Sequence, residues 1–399
     1  MKKQSDFILL AMLTLMYGTV CMETDIYVPA FPIMRDFFGV SDHQIQGVLS
    51  YNFFGILLGS LLFGPLSDSF GRYRVLKSGL ALFAASSWGC LFLTDFNLFL
   101  SCRFIQGVGA AAPMVTAFAM LLDKYDPKKV AQLCSALNIF IAGAMAASPI
   151  LGSVLILYFK WQANFLVIAV LSSFAFIGTL LFIEETLPEA SWLPFSTKTI
   201  LKDFGYMLKS VPFMSGNLIC YLLFAGIMVF IANLSLIFIE HLGVSQESYG
   251  FYQASIIGTF AIVSTLGAWM IGKYGTTTTK YVGLLFSFLG TILLCIVAFY
   301  NPVPVLICSS MAIFTMGATL ASVIYAVEAV NVFPNLRGIA SGLSNALRYL
   351  VIGAVIAFSA TTFDGSMRPI ACLTAALFVI VLFFVGVLRS RQEPLNSSL

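Results

Sequence analysis

Apolar runs of roughly the length that crosses a bilayer, about 20 residues, follow one another along the chain. The pattern predicts twelve spanning helices at approximately 7–31, 43–64, 76–94, 98–121, 131–156, 162–183, 211–238, 249–272, 281–300, 304–329, 339–362 and 369–388. Most connections are short. The exception is 184–210, which holds Glu184, Glu185, Glu189, Lys198, Lys202, Asp203 and Lys209. It divides the chain into a six-helix bundle at 1–183, a linker at 184–210 and a second bundle at 211–399. Lys198 and Lys202, one turn apart, predict a surface helix inside the linker.

Composition agrees. Of 399 residues, 59% are hydrophobic and 10% charged, against about 25% charged in soluble domains. So few charges cannot cover a soluble surface of this size, and the solvent is the lipid bilayer. The net charge of +3 is too small and scattered for a nucleic-acid partner. The eight cysteines fall in apolar stretches without a paired spacing, and His43 and His241 lie in connecting segments, so the pattern holds no metal site and no catalytic cluster. A membrane enzyme or sensor would need such a cluster or a soluble domain. Met1-Lys2-Lys3 before an apolar run imitates a signal peptide, but the run is too long and lacks a cleavage site, so it reads as a retained first helix.

Lysine and arginine set the orientation. With twelve crossings and a cytoplasmic N-terminus, sixteen of them fall on the cytoplasmic side, Arg35, Lys160 and Arg368 on the outer side, and Arg103 and Arg348 in the membrane. Both termini are therefore expected in the cytoplasm.

The segment after the second span reads Gly64-Pro65-Leu66-Ser67-Asp68-Ser69-Phe70-Gly71-Arg72-Tyr73-Arg74. It resembles the cytoplasmic signature of the major facilitator superfamily. Gly64 and Gly71 suit tight turns, and Asp68 is expected to face a helix N-terminus or the nearby arginines. A degenerate copy, Gly272-Lys273-Tyr274-Gly275, follows 204 residues later, as a duplicated six-helix unit predicts. Arg103-Phe104-Ile105-Gln106-Gly107-Val108-Gly109 resembles the family's fourth-helix motif. Gly143 to Gly152, with Pro149 between them, resembles its antiporter signature, although Ala147 and Ser148 replace the glycines expected before the proline. At the end of the first span, Asp25-Ile26-Tyr27-Val28-Pro29-Ala30-Phe31-Pro32 is similar to the bicyclomycin/chloramphenicol-resistance branch of drug:proton antiporters, as is Phe333-Pro334 before Arg337-Gly338.

The resemblance implies an all-α major facilitator fold of two pseudo-symmetric bundles, working as a monomer in a bacterial-type inner (plasma) membrane. It implies a small-molecule substrate and protons as partners, with no cofactor. The implied function is proton-coupled export of small organic molecules by alternating access, in the manner of multidrug efflux. A dedicated exporter of an anionic metabolite, such as a carboxylate siderophore, is the alternative. A nutrient importer is a third option that the antiporter signature weakens.

A charge at mid-bilayer costs at least about 2.5–3.5 kcal/mol, so intramembrane ionisable residues are candidates for function. Asp25 lies about 9 Å from the outer end of its helix and Arg103 about 8 Å from the outer start of its own. The matching levels predict an Asp25–Arg103 pair, with Gln106 on the arginine's face. Either the pair changes with the transport cycle and couples protons, or it is a fixed bridge between the first and fourth helices. Pro29 cannot donate to the Asp25 carbonyl, which predicts a bend there. Glu23, about 200° around the helix, is expected to face elsewhere unless the helix unwinds. Glu328, near Arg337, reads as a gating salt bridge. Arg348 sits near mid-membrane with no acid at its level. It suggests an anionic substrate group, or a partner such as Glu23, against snorkelling or packing. Tyr17, Tyr51, Asn52, Asn138, Asn217, Tyr221, Asn233, Gln253, Tyr325 and Asn345 are further candidates to line a cavity.

Overall fold

The computed structural model describes residues 6–125, 127–189, 192, 196–333 and 337–396. Among them are twelve helices long and apolar enough to cross a membrane, in the order read from the hydrophobic pattern. The first span comprises α1 (Asp6–Asp25), a 3₁₀ turn (Val28–Ala30) and α2 (Phe31–Phe38). A short α3 (Asp42–Ile45) leads into α4 (Gly47–Phe70), followed by α5 (Arg72–Phe92), α6 (Phe96–Lys124), α7 (Pro127–Tyr158) and α8 (Gln162–Phe182). The connector carries α9 (Thr197–Leu208), and α10 (Val211–Ser235) runs on into a π-helical turn at Leu236–His241. The second half ends with α11 (Gln246–Tyr300), α12 (Pro304–Val330), α13 (Arg337–Thr362) and α14 (Arg368–Asn396). α11 contains two spans that meet at Gly275. The end where α1 begins is termed the near end and the opposite one the far end.

Small residues set the helix pairs. Beside Arg103, Gly107 lies against the Asn52 backbone of α4, while Gly109 lies against Gly79 and Phe83 of α5. A Cβ at either position would collide with backbone, so these contacts exist because α6 is glycine-rich there. Gly283 and Gly317 repeat the arrangement between α11 and α12. α9 buries Met207 against Phe213, Ala340 and Leu343 and exposes Lys198 and Lys202.

Between the halves, α4 packs on α13 and α7 on α11. Three polar bonds between nitrogen and oxygen atoms cross between them among the described residues, all at the far end. Arg35, which also donates to Asp42 at 2.8 Å, donates to Glu240 at 2.5 Å. Gln46 donates to the Asn233 side chain at 2.9 Å, and Gln246 to the Pro29 carbonyl at 3.0 Å. These bonds tie the halves together at the far end, and a cavity of about 290 Å³ runs inward from the near end among α10, α12 and α13.

Candidate functional site

Arg103 is wholly buried, and its donors are taken up within the first half. One terminal nitrogen donates to both Glu23 Oε1 and Gln106 Oε1. The other donates to the Tyr27 hydroxyl at 2.6 Å, and Nε to the Val48 carbonyl at 3.4 Å. Its guanidinium also lies over the Tyr27 ring, 4.4 Å from the centroid. Asn52 donates to the same Glu23 oxygen at 3.2 Å, and Gln106 passes the network on to Ser87 at 2.8 Å. Glu23 Oε2 is buried without a partner.

The ion pair expected from Asp25 is therefore made by Glu23. The two helix levels agree with the sequence reading, but the azimuth does not. Asp25 ends α1, and the chain turns through Ile26 and Tyr27 before the 3₁₀ turn at Pro29, which is the bend that the proline predicts. That geometry leaves Glu23 facing α4 and α6. Asp25 is 4% exposed and its side chain accepts from Thr24 Oγ1 at 3.3 Å. Two buried carboxylates thus stand just before the break, and among the described residues only Glu23 is held by a cation. Sequence reasoning missed Tyr27 as the arginine's second anchor, although it stands inside the motif that was singled out.

The α7 motif meets this break directly. Ser148 donates to the Met22 carbonyl at 3.0 Å, and a Cβ at Gly152 would overlap the Ile26 carbonyl oxygen. On the other side, Gly250 of α11 lies against the Pro149 carbonyl and Ile150. One turn of α7 therefore touches both the end of α1 and the second half. Gly143 has open space where a Cβ would stand.

At the near end, Asp68 pairs with Arg72 at 2.5 Å, and Arg72 reaches Asp123 at 3.1 Å. The start of α5 is capped not by Asp68 but by Glu185, which accepts from the backbone nitrogens of Arg72 and Tyr73 at 2.8 and 3.1 Å. Gly71 takes φ +94° and leaves no room for a Cβ beside Glu185, whereas Gly64, expected at a tight turn, lies inside α4 because the helix continues to Phe70, with an ordinary side-chain neighbour in Val115. Neither Glu185 nor Asp123 carried a local signal beyond its charge. In the second half Glu328 pairs with Lys280 at 2.9 Å; the side chain of Arg337 and residues 334–336 lie outside the described residues.

Among the described residues Arg348 has no carboxylate partner. Glu23, the long-range candidate, is occupied by Arg103. Its Nε is buried and unbonded, and its guanidinium lies 5.2 Å from the Tyr349 ring centroid and 5.8 Å from that of Phe224. It lines the near-end cavity with Asn345, Ser344 and Tyr221. Tyr221 donates to Ser344 at 2.9 Å and Ser344 to Asn217 at 2.5 Å, so Asn217 supports the wall rather than facing the space. Tyr17 lies within electrostatic reach of Arg348. Tyr51 is exposed on α4 and takes no part in these networks. Gln106 and Gln253 are fully buried, bonded to Arg103 and Tyr249 respectively, and Asn233 holds the far-end bond with Gln46. The side chain of Asn138 lies outside the described residues. Asp42, Glu240 and His241 bring candidate ligand atoms within 4.8 Å of one another, but Arg35 already sits on both carboxylates, which makes the group an ionic clasp.

The family profile of the Major Facilitator Superfamily matches residues 13–358. A bicyclomycin resistance protein homolog of Haemophilus influenzae is 25% identical over 409 aligned residues, covering 98% of each chain. The chloramphenicol resistance protein CraA of Acinetobacter baumannii is 27% identical over 290, covering 71% of this chain and 68% of its own. The inward-open xylose transporter XylE from E. coli superposes with a TM-score of 0.73 at 15% identity, over 95% of this chain and 96% of its own. The human organic anion transporter MFSD10 does so at 0.68 and 17%, over 96% and 100%. At these identities the two structures speak to the fold.

Proposed function

The chain belongs to the Major Facilitator Superfamily and is a twelve-span membrane transporter of small molecules, and on that premise we propose that it exports small organic compounds, drugs among them, in exchange for protons. Residues 1–183 and 211–399 are the two bodies that rock about the cavity, with 184–210 as the cytoplasmic connector, and one chain is the functional unit. The lysine and arginine bias supports a cytoplasmic near end. The far end, tied by the three bonds between the halves, then faces outward, which supports a state that loads substrate from inside an inner membrane. The drug-resistance names of the relatives support export.

The observation that carries the proton reading is the pair of buried carboxylates at the α1 break, of which Glu23 is held by Arg103 and Asp25 is not. Coupling requires a site whose proton affinity differs between the two states. Asp25 stands where α1 stops, between Met22 and Ile26, which meet an α7 turn that also touches the second half, so its surroundings change when the far end opens. Asp68, Arg72 and Glu328 act in the near-end closure, while Pro149 and Gly152 transmit movement between α1, α7 and α11.

The test is gradient-driven uptake of a fluorescent cation into inverted membrane vesicles. Asp25→Asn is expected to lose accumulation by about tenfold or more while keeping downhill exchange of the same probe. Full gradient-driven accumulation by Asp25→Asn removes the proton assignment. A second reading, dedicated export of an anionic metabolite, is favoured by the charge of Arg348, which forms no ion pair among the described residues.

A further inference from the structure

The cavity supplies more chemistry than a generic apolar pocket. A cation in the membrane interior is normally paired with a carboxylate or with backbone oxygens. The titratable groups that act on Arg348 include Tyr349, Cys220, Tyr17, Tyr221 and Cys21, hydroxyls and thiols from α1, α10 and α13. None is an acid. The nearest acid on α12, Glu328, is bonded through both oxygens to Lys280. Glu23 on α1 is held by Arg103. Among the described residues Arg348 forms no ion pair, and its Nε–H is buried with nothing to donate to.

Three features of the wall match one ligand chemistry. Arg348 offers planar, paired donors suited to a carboxylate. Asn345 lines the cavity one turn before Arg348 on α13, and Ser344, already bonded to Asn217 and Tyr221, fixes that part of the wall. Val327 and Val330 of α12 provide apolar surface across from them, with the Phe224 and Tyr349 rings against the guanidinium. A volume of about 290 Å³ is at the small end of the range for organic ligands.

We propose that this cavity is a binding site for a small organic carboxylate with an apolar, preferably aromatic, body, its carboxylate on Arg348 and Asn345 and its body along α12. The proposal rests on the transporter reading and narrows its substrate. It assigns Arg348 a direct contact with the ligand and leaves proton coupling to the first half. Ligand binding here places the countercharge that the described residues do not supply, in the state that opens to the near end.

The experiment is equilibrium binding to the purified full chain in detergent, with no gradient present, using 1-naphthoate and the matched neutral alcohol, 1-naphthalenemethanol. The wild type is expected to bind the carboxylate at least about tenfold more tightly than the alcohol, as a charge-assisted contact to a half-buried arginine provides. Arg348→Gln is expected to erase that preference and leave alcohol binding within about twofold, while Arg348→Lys retains part of it. Equal affinities of the two compounds for the wild type overturn the proposal without any variant. So does an unchanged preference in Arg348→Gln whose thermal unfolding matches the wild type. The two readings fail separately. Arg348-dependent binding without gradient-driven transport removes the export reading alone, and gradient-driven dye efflux without carboxylate preference removes this one alone.

Discussion

Arg103 exposes none of its surface yet finds an acceptor at each of its three nitrogens: Glu23 and Gln106, the Tyr27 hydroxyl and the Val48 carbonyl. Such a cluster is costly to dismantle from one side. Arg103→Met leaves Glu23 charged in the core, and removing one partner of a buried pair costs about 3–5 kcal/mol. Glu23→Gln keeps the Asn52 contact and costs less. Removing both charges together is expected to cost less than the sum of the two single changes, by about 1–3 kcal/mol of coupling, measured by thermal unfolding of the four proteins in detergent. Additive losses mean that the two side chains do not share an interaction. The sequence made the levels of these groups legible, because rise per residue converts position into depth. It did not make the choice of carboxylate legible. That depends on azimuth at the last turn of α1, where Glu23 and Asp25 point to different neighbours and the break at Pro29 ends the helix between them and the far end.

Elements repeat across the two halves with an offset that the sequence already contained. Gly275 follows Gly71 by 204 residues, and both adopt positive φ, +94° at Gly71 and +81° at Gly275. Each begins the third span of its half. The cation near that start meets a carboxylate near the end of the fourth span, Arg72 with Asp123 and Lys280 with Glu328. The copies differ in the cap. Glu185 occupies the space at Gly71, whereas nothing lies within 4 Å of a Cβ built on Gly275. Gly71→Ala therefore meets both backbone strain and a collision with the cap, and Gly275→Ala meets the strain alone, about 1–3 kcal/mol. Glu185→Ala is expected to lose about 1 kcal/mol, the usual worth of a helix cap, and to make Gly71→Ala less harmful than it is in the wild type. Thermal unfolding of the single and double variants measures this. Equal penalties at the two glycines would count against the cap as the difference between the halves. The spans themselves were legible because their length is fixed by the bilayer. Glu185 was not, since a contact between residues 113 positions apart leaves no local periodicity and its segment read as linker.

For the molecule as a whole, the sign of the substrate decides how the membrane potential acts. Each proton moving inward carries one positive charge. A carboxylate moving outward is electrically equivalent to one more, while an exported monovalent cation cancels one. Whatever the proton stoichiometry, the two kinds of cycle differ by two elementary charges, about 4–5 kcal/mol per 100 mV of potential. The arrangement in the structure separates the parts on which this depends: the carboxylates at the α1 break in the first half, and Arg348 in a cavity walled by α10, α12 and α13 in the second. In inverted vesicles with a fixed pH gradient, collapsing the interior-positive potential with thiocyanate is expected to reduce 1-naphthoate accumulation steeply. Accumulation of the matched 1-naphthylmethylammonium is expected to fall far less, or to rise. Arg348→Gln removes the first response, because the carboxylate is no longer carried, and leaves the second. An equal dependence of both probes on potential means that the anion does not travel with its charge, which points to a protonated, neutral cargo and leaves Arg348 as a structural cation of the second half.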